Sequence, residues 1–282
     1  MNRKLRYLEA SYRRLMPTND PGFMIIGAQK AGTSSLHHYL SQHSNMVGSR
    51  PKEVGYFHRD KYFGSTLETY RKSFRGSRKC LHFEATPEYL YHPNVAAAIH
   101  DVYPAMKFII VLREPGARAY SAWNHYRDHF ETGKYKTAIL NRPRLPGNRI
   151  ASRLFENRSK FPSFRECIEI ELEMTVNGEG FEPGILRRGL YLEQLEDYWK
   201  YFDREQFLLL GFKDLVRDLE STLNKVAGFL EVTPFPNSPI KSEPKNQRKY
   251  TEPMSPKDRE FLDEYYKIPN SKLFEVIEPL NW

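Results

Sequence analysis

The sequence predicts an α/β fold, a single domain with a P-loop-type central parallel sheet and helices on both faces. Three runs at 23–26, 107–113 and 207–212 carry consecutive apolar residues without alternation, which is typical of strands buried on both faces. Helical patterns separate these runs, and strands that alternate with helices favour parallel pairing through crossovers. A glycine-bracketed loop follows the first run and predicts the P-loop type.

Length and composition allow one domain with insertions. The chain has 282 residues, of which 40% are hydrophobic, enough to bury a sizeable core. No run approaches the roughly 18 apolar residues of a membrane span, and residues 1–7 lack the apolar core of a secretory signal. The two cysteines, Cys80 and Cys167, lack metal-ligand spacing. We therefore expect a cytoplasmic protein with reduced thiols and no membrane span.

The net charge of +8 favours an anionic ligand or partner. Charge alone does not choose between a nucleotide, a polysaccharide and a nucleic acid. At the start of the chain, basic residues alternate with apolar ones, which predicts an amphipathic helix ended by Pro17 and Pro21. We therefore expect an N-terminal segment at 1–20 and the main domain at 21–282.

The loop at 27–35 is the first candidate binding element. Gly27 and Gly32 bracket it, so that its backbone amides can converge on an anion. Its glycines have Walker P-loop spacing, yet Thr33 stands where a nucleotide triphosphatase has lysine, and Lys30 lies inside the loop. A plain glycine turn with a solvated lysine is the alternative interpretation.

The rest of the chain continues the alternation. A strand at 80–84 is broken by Thr86-Pro87, and a helix at 116–130 starts beside Pro115. The segment 134–162, rich in proline and basic residues, is predicted to be an insertion or mobile loop. Further helices are predicted near 95–102, 192–202 and 219–230, with helical pieces between 261 and 282.

Arg113 ends the clearest predicted strand, and Ser121 lies two helical turns further on. Ligands of doubly wound sheets gather at the carboxyl ends of the strands, so Arg113 stands where a phosphate can bind. A helix cap or an ion pair with Glu114 is the alternative role.

These two motifs together resemble those of sulfotransferases that use 3′-phosphoadenosine 5′-phosphosulfate (PAPS). The run 27–35 resembles the family's 5′-phosphosulfate loop, and 112–121 resembles its 3′-phosphate motif. The segments 188–191 and 248–250 look like parts of the heparan-sulfate-type branch, that is, the N- and 3-O-sulfotransferases and their bacterial relatives. The resemblance thus spans roughly 23–275.

The resemblance implies PAPS as sulfuryl donor, 3′-phosphoadenosine 5′-phosphate (PAP) as product, and no metal. The 5′ end would bind the glycine loop, and the 3′-phosphate would bind Arg113 and Ser121. The cofactor-binding residues so implied are Lys30, Ala31, Gly32, Thr33, Ser34, Ser35, Arg113, Ser121, Tyr191, Lys245, Arg248 and Lys249.

Three catalytic residues follow from the same resemblance. Lys30 would stabilise charge on the leaving phosphate, and Glu53 matches the branch's general base, which takes the acceptor proton. His125 matches a catalytic histidine of the N-sulfating members. A surface ion pair with Lys52 is the alternative for Glu53, and a solvated or core histidine is the alternative for His125.

Two departures from the family pattern affect these assignments. Ala85 stands where the family has a catalytic-site lysine, so either the acceptor differs or a nearby cation, Lys52 or Arg59, replaces that lysine. The tail at 245–249 lacks the glycine of the family's Lys-Gly-Arg loop, although we expect it to close over the nucleotide.

The sequence therefore predicts sulfuryl transfer from PAPS to a hydroxyl or amine of a soluble small molecule or biosynthetic intermediate. A glycosaminoglycan-like polysaccharide is the alternative acceptor. Alternatives of other classes are a P-loop kinase or ATPase, and a non-catalytic binder of polyanions. We expect a small-molecule partner and no nucleic-acid partner, and the sequence predicts no oligomeric state.

Overall fold

The computed structural model describes residues 15–58, 64–134, 150–178, 183–235 and 252–282. The chain divides into two compact units, which are described separately. The sheet unit comprises Met1–Leu112, Leu195–Gln247 and Leu280–Trp282, and the helical unit comprises Arg113–Gln194 and Arg248–Pro279.

The sheet unit is built on five parallel strands. They are β1 (Phe23–Gly27), β2 (Met46–Gly48), β3 (Leu81–Ala85), β4 (Lys107–Leu112) and β5 (Phe207–Gly211). Their order across the sheet is β2-β3-β1-β4-β5, and every neighbouring pair is parallel. The predicted class, an α/β fold on a P-loop-type central parallel sheet with helices, is confirmed.

The helices follow in chain order. They are α1 (Thr33–Leu40), α2 (Leu67–Arg71), α3 (Val95–His100), α4 (Pro115–Glu131), α5 (Ile150–Phe155), α6 (Phe164–Val176), α7 (Tyr191–Trp199), α8 (Phe212–Arg217), α9 (Leu219–Phe229) and α10 (Pro256–Phe274). Short 3₁₀ turns lie at Arg187–Gly189 and Arg204–Gln206.

Burial of the central strands on both faces explains why their apolar residues do not alternate with polar ones. All five residues of β1 are buried, and so are five of the six in β4. Phe23 stacks on Phe83 of β3 with ring centroids 4.7 Å apart, and Phe108 stacks on Phe207 of β5 at 5.0 Å. Cross-strand aromatic pairs therefore join the strands on both sides of the central pair.

A separate aromatic core fills the helical unit. Trp123 of α4, Phe164 of α6 and Tyr266 of α10 belong to one buried cluster. Leu154 and Phe155 of α5 belong to the same cluster. Of the predicted insertion or mobile loop over 134–162, residues 150–155 are not a loop, because apolar side chains anchor a helix there, and the insertion stays a prediction.

Two buried charged side chains hold the chain entering the Arg187–Gly189 turn. The carboxylate of Glu171 on α6 accepts the N–H groups of Ile185, Leu186 and Arg187 at 2.5, 3.0 and 3.0 Å. Arg118 of α4 is fully buried and donates to the carbonyl of Ile185. Burial raises the pKa of Glu171, while these amides and Arg118 favour its charged form.

Several predicted features fall outside the described residues. They are the amphipathic helix as far as residue 14, residues 135–149, and the basic residues Lys245, Arg248 and Lys249. The boundaries proposed for the N-terminal segment stay a prediction. Within the described ranges, no helix combines the length and the apolar character needed to span a bilayer.

We expect Glu171→Ala to lower the free energy of unfolding by about 3 to 5 kcal/mol, because it leaves three backbone N–H groups without an acceptor and removes a negative charge that acts on buried Arg118. Urea unfolding measures the loss. Glu169→Ala is the matched control, since this glutamate is exposed on the same helix. Equal effects of the two substitutions would show that the Glu171 carboxylate does not hold this segment.

Candidate functional site

The glycine loop of the sheet unit turns sharply between β1 and α1. Lys30 has φ 68° and Gly32 has φ 91°, both in the left-handed region. A Cβ at Gly32 would also lie 3.1 Å from Leu215 Cδ2 and 3.3 Å from Phe212 Cε2. Backbone strain and tight packing together therefore require glycine at position 32.

The N-terminus of α1 presents an anion-binding surface. The helix begins at Thr33, and neither a capping side chain nor an acidic residue occupies its described first turn. Thr33 and Ser35 are buried, while Ser34 is half-buried. A helix N-terminus favours a negative charge, and the hydroxyls add donors. These residues fit the phosphosulfate end of PAPS.

Lys52 connects this loop to the candidate base. Its Nζ lies 3.3 Å from Thr33 Oγ1 and 2.8 Å from Glu53 Oε1. The Lys52–Glu53 ion pair expected under the alternative interpretation is thus present, with the Glu53 side chain half exposed at 49%. Because Lys52 Nζ also contacts Thr33, the ion pair is attached to the glycine loop and is more than a surface contact.

A buried carboxylate lies at the end of β3, next to Ala85. Glu84 is fully buried and accepts hydrogen bonds from Tyr70 at 2.6 Å, Thr86 at 2.5 Å and Tyr89 at 3.3 Å. The N–H of Val54, one residue after the candidate base, also bonds to it. Burial raises the pKa of Glu84 to about 7. Glu84 therefore fixes the segment that carries Glu53.

Sequence reasoning missed this role of Glu84. The signal was a single carboxylate within an otherwise apolar strand, closely followed by Thr86 and Tyr89, which supply hydroxyl donors. Ala85 itself is fully buried, and its N–H donates to the carbonyl of Lys52 at 3.2 Å.

In the helical unit, Arg113 is fixed through its backbone. The Tyr191 hydroxyl donates to the Arg113 carbonyl at 2.7 Å, and Tyr191 is 1% exposed, with a pKa raised by burial to about 12. Glu114 caps α4 through the N–H groups of Gly116 and Ala117 and pairs with Arg259 at 2.9 Å. Tyr191 thus positions Arg113. Contact of either residue with the cofactor stays a prediction.

Ser121 and His125 both lie on α4, as predicted from their spacing. Ser121 is 5% exposed and His125 is half-buried, and residues four apart share one helix face. The His125 ring lies 4.2 Å from that of His129. Neither role assigned to these residues is tested by these contacts.

Four other basic residues named for the site lie outside the described ranges, namely Arg59, Lys245, Arg248 and Lys249. Within the described part of the chain, no cluster of three or more histidine, cysteine or acidic side chains is arranged to hold a metal ion.

The pKa of Glu84 gives the protein a pH-dependent stability. The folded state holds the proton more tightly than the unfolded chain, where the value is near 4.5. The stabilisation is thus complete below pH 4.5 and is lost as pH rises through about 7, an effect of about 3 kcal/mol. Unfolding of wild type and Glu84→Gln across this range measures it.

In that experiment the amide variant stays neutral at every pH and serves as the reference. We expect the stability of the wild type relative to Glu84→Gln to fall as pH rises. A difference that does not change with pH would contradict the assignment of a raised pKa to Glu84.

Comparison with known proteins identifies the family. The family model described as "Sulfotransferase domain" matches residues 20–267, which include parts of both units. A crystal structure of a sulfotransferase from Alicyclobacillus acidocaldarius superimposes with a TM-score of 0.67 at 27% identity, covering 92% of this chain and 96% of that one.

Curated relatives agree with this assignment. The chain is 26% identical to membrane-associated sulfotransferase kil1 of Dictyostelium discoideum, over 91% of this chain and 65% of that protein. It is 25% identical to human bifunctional heparan sulfate N-deacetylase/N-sulfotransferase 3, over 92% of this chain and 30% of that protein. The chain therefore spans less than two thirds of the length of either relative.

The glycine loop, the parallel sheet and a family match over most of the chain lead to one conclusion. The chain belongs to the sulfotransferase family.

Proposed function

We propose that this sulfotransferase transfers the sulfuryl group of PAPS to a hydroxyl or amine of a soluble small molecule or biosynthetic intermediate. The observation that carries the proposal is the link formed by Lys52. Its ammonium contacts both Thr33 of the glycine loop and the Glu53 carboxylate. A candidate base thus lies one side chain away from a loop suited to a phosphosulfate.

Each residue of the sheet unit has a definite task in the proposed reaction. Glu53 accepts the proton of the acceptor as the acceptor's O–S or N–S bond forms. The bond from sulfur to the bridging oxygen breaks, and Lys30 stabilises the charge that develops on the departing phosphate. The amides at the start of α1 hold the anionic end in place, so catalysis consists of positioning and charge stabilisation.

In the helical unit, Arg113 and Ser121 are proposed to bind the 3′-phosphate. Support comes from the fixed backbone of Arg113, whose carbonyl is held by Tyr191. An arginine presents several N–H donors in a planar arrangement suited to phosphate. His125, on the same helix as Ser121, is proposed to assist the proton transfer or the departure of the phosphate. Contacts from Lys245, Arg248 and Lys249 belong to the same proposal.

Ala85 supports a small acceptor over a sulfated polysaccharide. Its buried methyl group offers no charge to an acidic saccharide at the end of β3. The polysaccharide alternative draws its support from the human relative, whose name specifies heparan sulfate. A cytoplasmic location is part of the proposal, although another relative is named as membrane-associated.

The alternatives of other classes have lost support. Thr33 replaces the lysine of a kinase or ATPase loop, and the matching family is that of sulfotransferases. A polyanion binder without catalysis does not require the Lys52 link between the loop and the Glu53 carboxylate.

We expect Arg113→Ala to weaken PAP binding about 10- to 100-fold and to leave adenosine 5′-phosphate binding nearly unchanged, because only PAP carries a 3′-phosphate. Calorimetric titration measures both affinities. Arg153→Ala is the control, since this arginine pairs with the exposed Glu173. Equal losses for the two nucleotides would rule out the 3′-phosphate assignment.

The central test of the proposed function is Glu53→Gln. We expect turnover to fall about 10²- to 10⁴-fold because the amide cannot accept a proton, while PAP affinity is retained. Transfer of a labelled sulfuryl group from PAPS to a mixed acceptor panel measures turnover.

His125→Ala separates two assignments in the same assay. If Glu53→Gln keeps near-normal turnover and His125→Ala is inactive, the histidine is the base and the assignment to Glu53 is wrong. If both variants stay active, the reaction proceeds without a protein base, as it can with an already nucleophilic amine, and the hydroxyl acceptor is excluded.

A further inference from the structure

The proposed reaction gives the side chain of Lys52 no chemical role of its own. We propose that Lys52 is a further catalytic residue, whose ammonium binds the sulfonate of the donor. This inference rests on the proposed function and adds to it a second cation, separate from Lys30. Lys30 acts on the departing phosphate, whereas Lys52 acts on the group that moves.

The backbone of Lys52 is held independently of its side chain. Its carbonyl accepts the N–H of Ala85 at 3.2 Å and the hydroxyl of Ser49 at 3.0 Å. Ser49 in turn donates its N–H to the carbonyl of Phe83 at 2.7 Å. Lys52 is thus tied to the end of β3 by its main chain, and its side chain is directed to the loop from a fixed origin.

The ammonium contacts the loop at the residue where the anion would be held. Thr33 is the first residue of α1 and is 5% exposed, and its Oγ1 lies 3.3 Å from Lys52 Nζ. The Lys52 side chain is itself only 22% exposed. Charge interactions are stronger at such a site than in bulk water because solvent screens them less.

Glu53 and His37 are the titratable neighbours that determine the charge around Lys52. Among the described residues, Glu53 is the one carboxylate in ion-pair contact with Lys52. His37, one helical turn after Thr33, does not add positive charge, because burial and the nearby Lys52 lower its pKa to about 3. The ammonium has three N–H donors, and its contacts with Thr33 and Glu53 use two of them, so that one can be donated to the sulfonate.

These contacts give the donor sulfonate a cation, while position 85 still offers none to an acidic acceptor. Ala85 offers no charge, but it fixes through its N–H the main chain of the residue that does. In the transfer step Lys52 stays protonated, Glu53 receives the acceptor proton, and sulfur exchanges the bridging oxygen for the acceptor atom. Lys52 also keeps Glu53 beside the sulfonate, so that base and electrophile are aligned by one ammonium.

The test compares PAPS and PAP, because only PAPS carries the sulfonate. We expect Lys52→Met to lower the ratio of PAPS affinity to PAP affinity about 10-fold relative to wild type, with PAP affinity changed far less. Turnover should fall about 10²-fold. Titration without an acceptor measures both affinities, and sulfuryl transfer measures turnover. Lys52→Arg keeps the charge and should therefore retain most of the affinity ratio and most of the turnover.

Lys72→Ala is the matched control, because it removes a lysine from an exposed lysine–glutamate pair with Glu68. It should leave both affinities and turnover unchanged. If Lys52→Met behaves like this control, or weakens PAP and PAPS equally, Lys52 does not bind the sulfonate and the inference is overturned. If the wild type neither binds PAP nor transfers sulfuryl groups, the proposed function itself fails, an outcome distinct from the first.

Discussion

The left-handed turn at Gly32 is the constraint on which the rest of the site depends. It lets the chain leave the buried strand β1 and enter α1 without a side chain that caps the start of the helix. A side chain at this position would meet Leu215 and Phe212 as well as an unfavourable backbone region. The positive end of α1 is therefore not neutralised by a capping or acidic side chain, which agrees with the proposed binding of an anion there.

The second element of the site is organised by a carboxylate that does no chemistry. Glu84 is fully buried, so its ionisation costs stability, and three hydroxyl donors offset part of that cost. Glu84 also accepts the N–H of Val54, and Val54 follows Glu53 directly in the chain. The buried carboxylate therefore helps to position Glu53. In the helical unit, Tyr191 has a similar role, since its hydroxyl holds the backbone of Arg113.

The sequence predicted the elements whose pattern is local and strong. Strand β4 and helix α4 were predicted to within about a residue, because an uninterrupted apolar run and Pro115 mark them. Strand β2 has three residues, too few for a periodic pattern, and α6 was not predicted. The contact of Lys52 with Thr33 joins residues 19 positions apart, so no local pattern predicts it. The parallel pairing of β1 with β3 brings the segments that carry these two residues together.

Transfer of a labelled sulfuryl group from PAPS to a panel of acceptors tests the proposed reaction directly. One arm of the panel holds small hydroxyl and amine compounds, and the other holds glycosaminoglycan-like polysaccharides. The account predicts label in the small-molecule arm, with PAP released in equal amount and transfer lost in Glu53→Gln. Label confined to the polysaccharide arm would contradict the proposed acceptor, and absence of transfer to any acceptor would contradict the proposed activity.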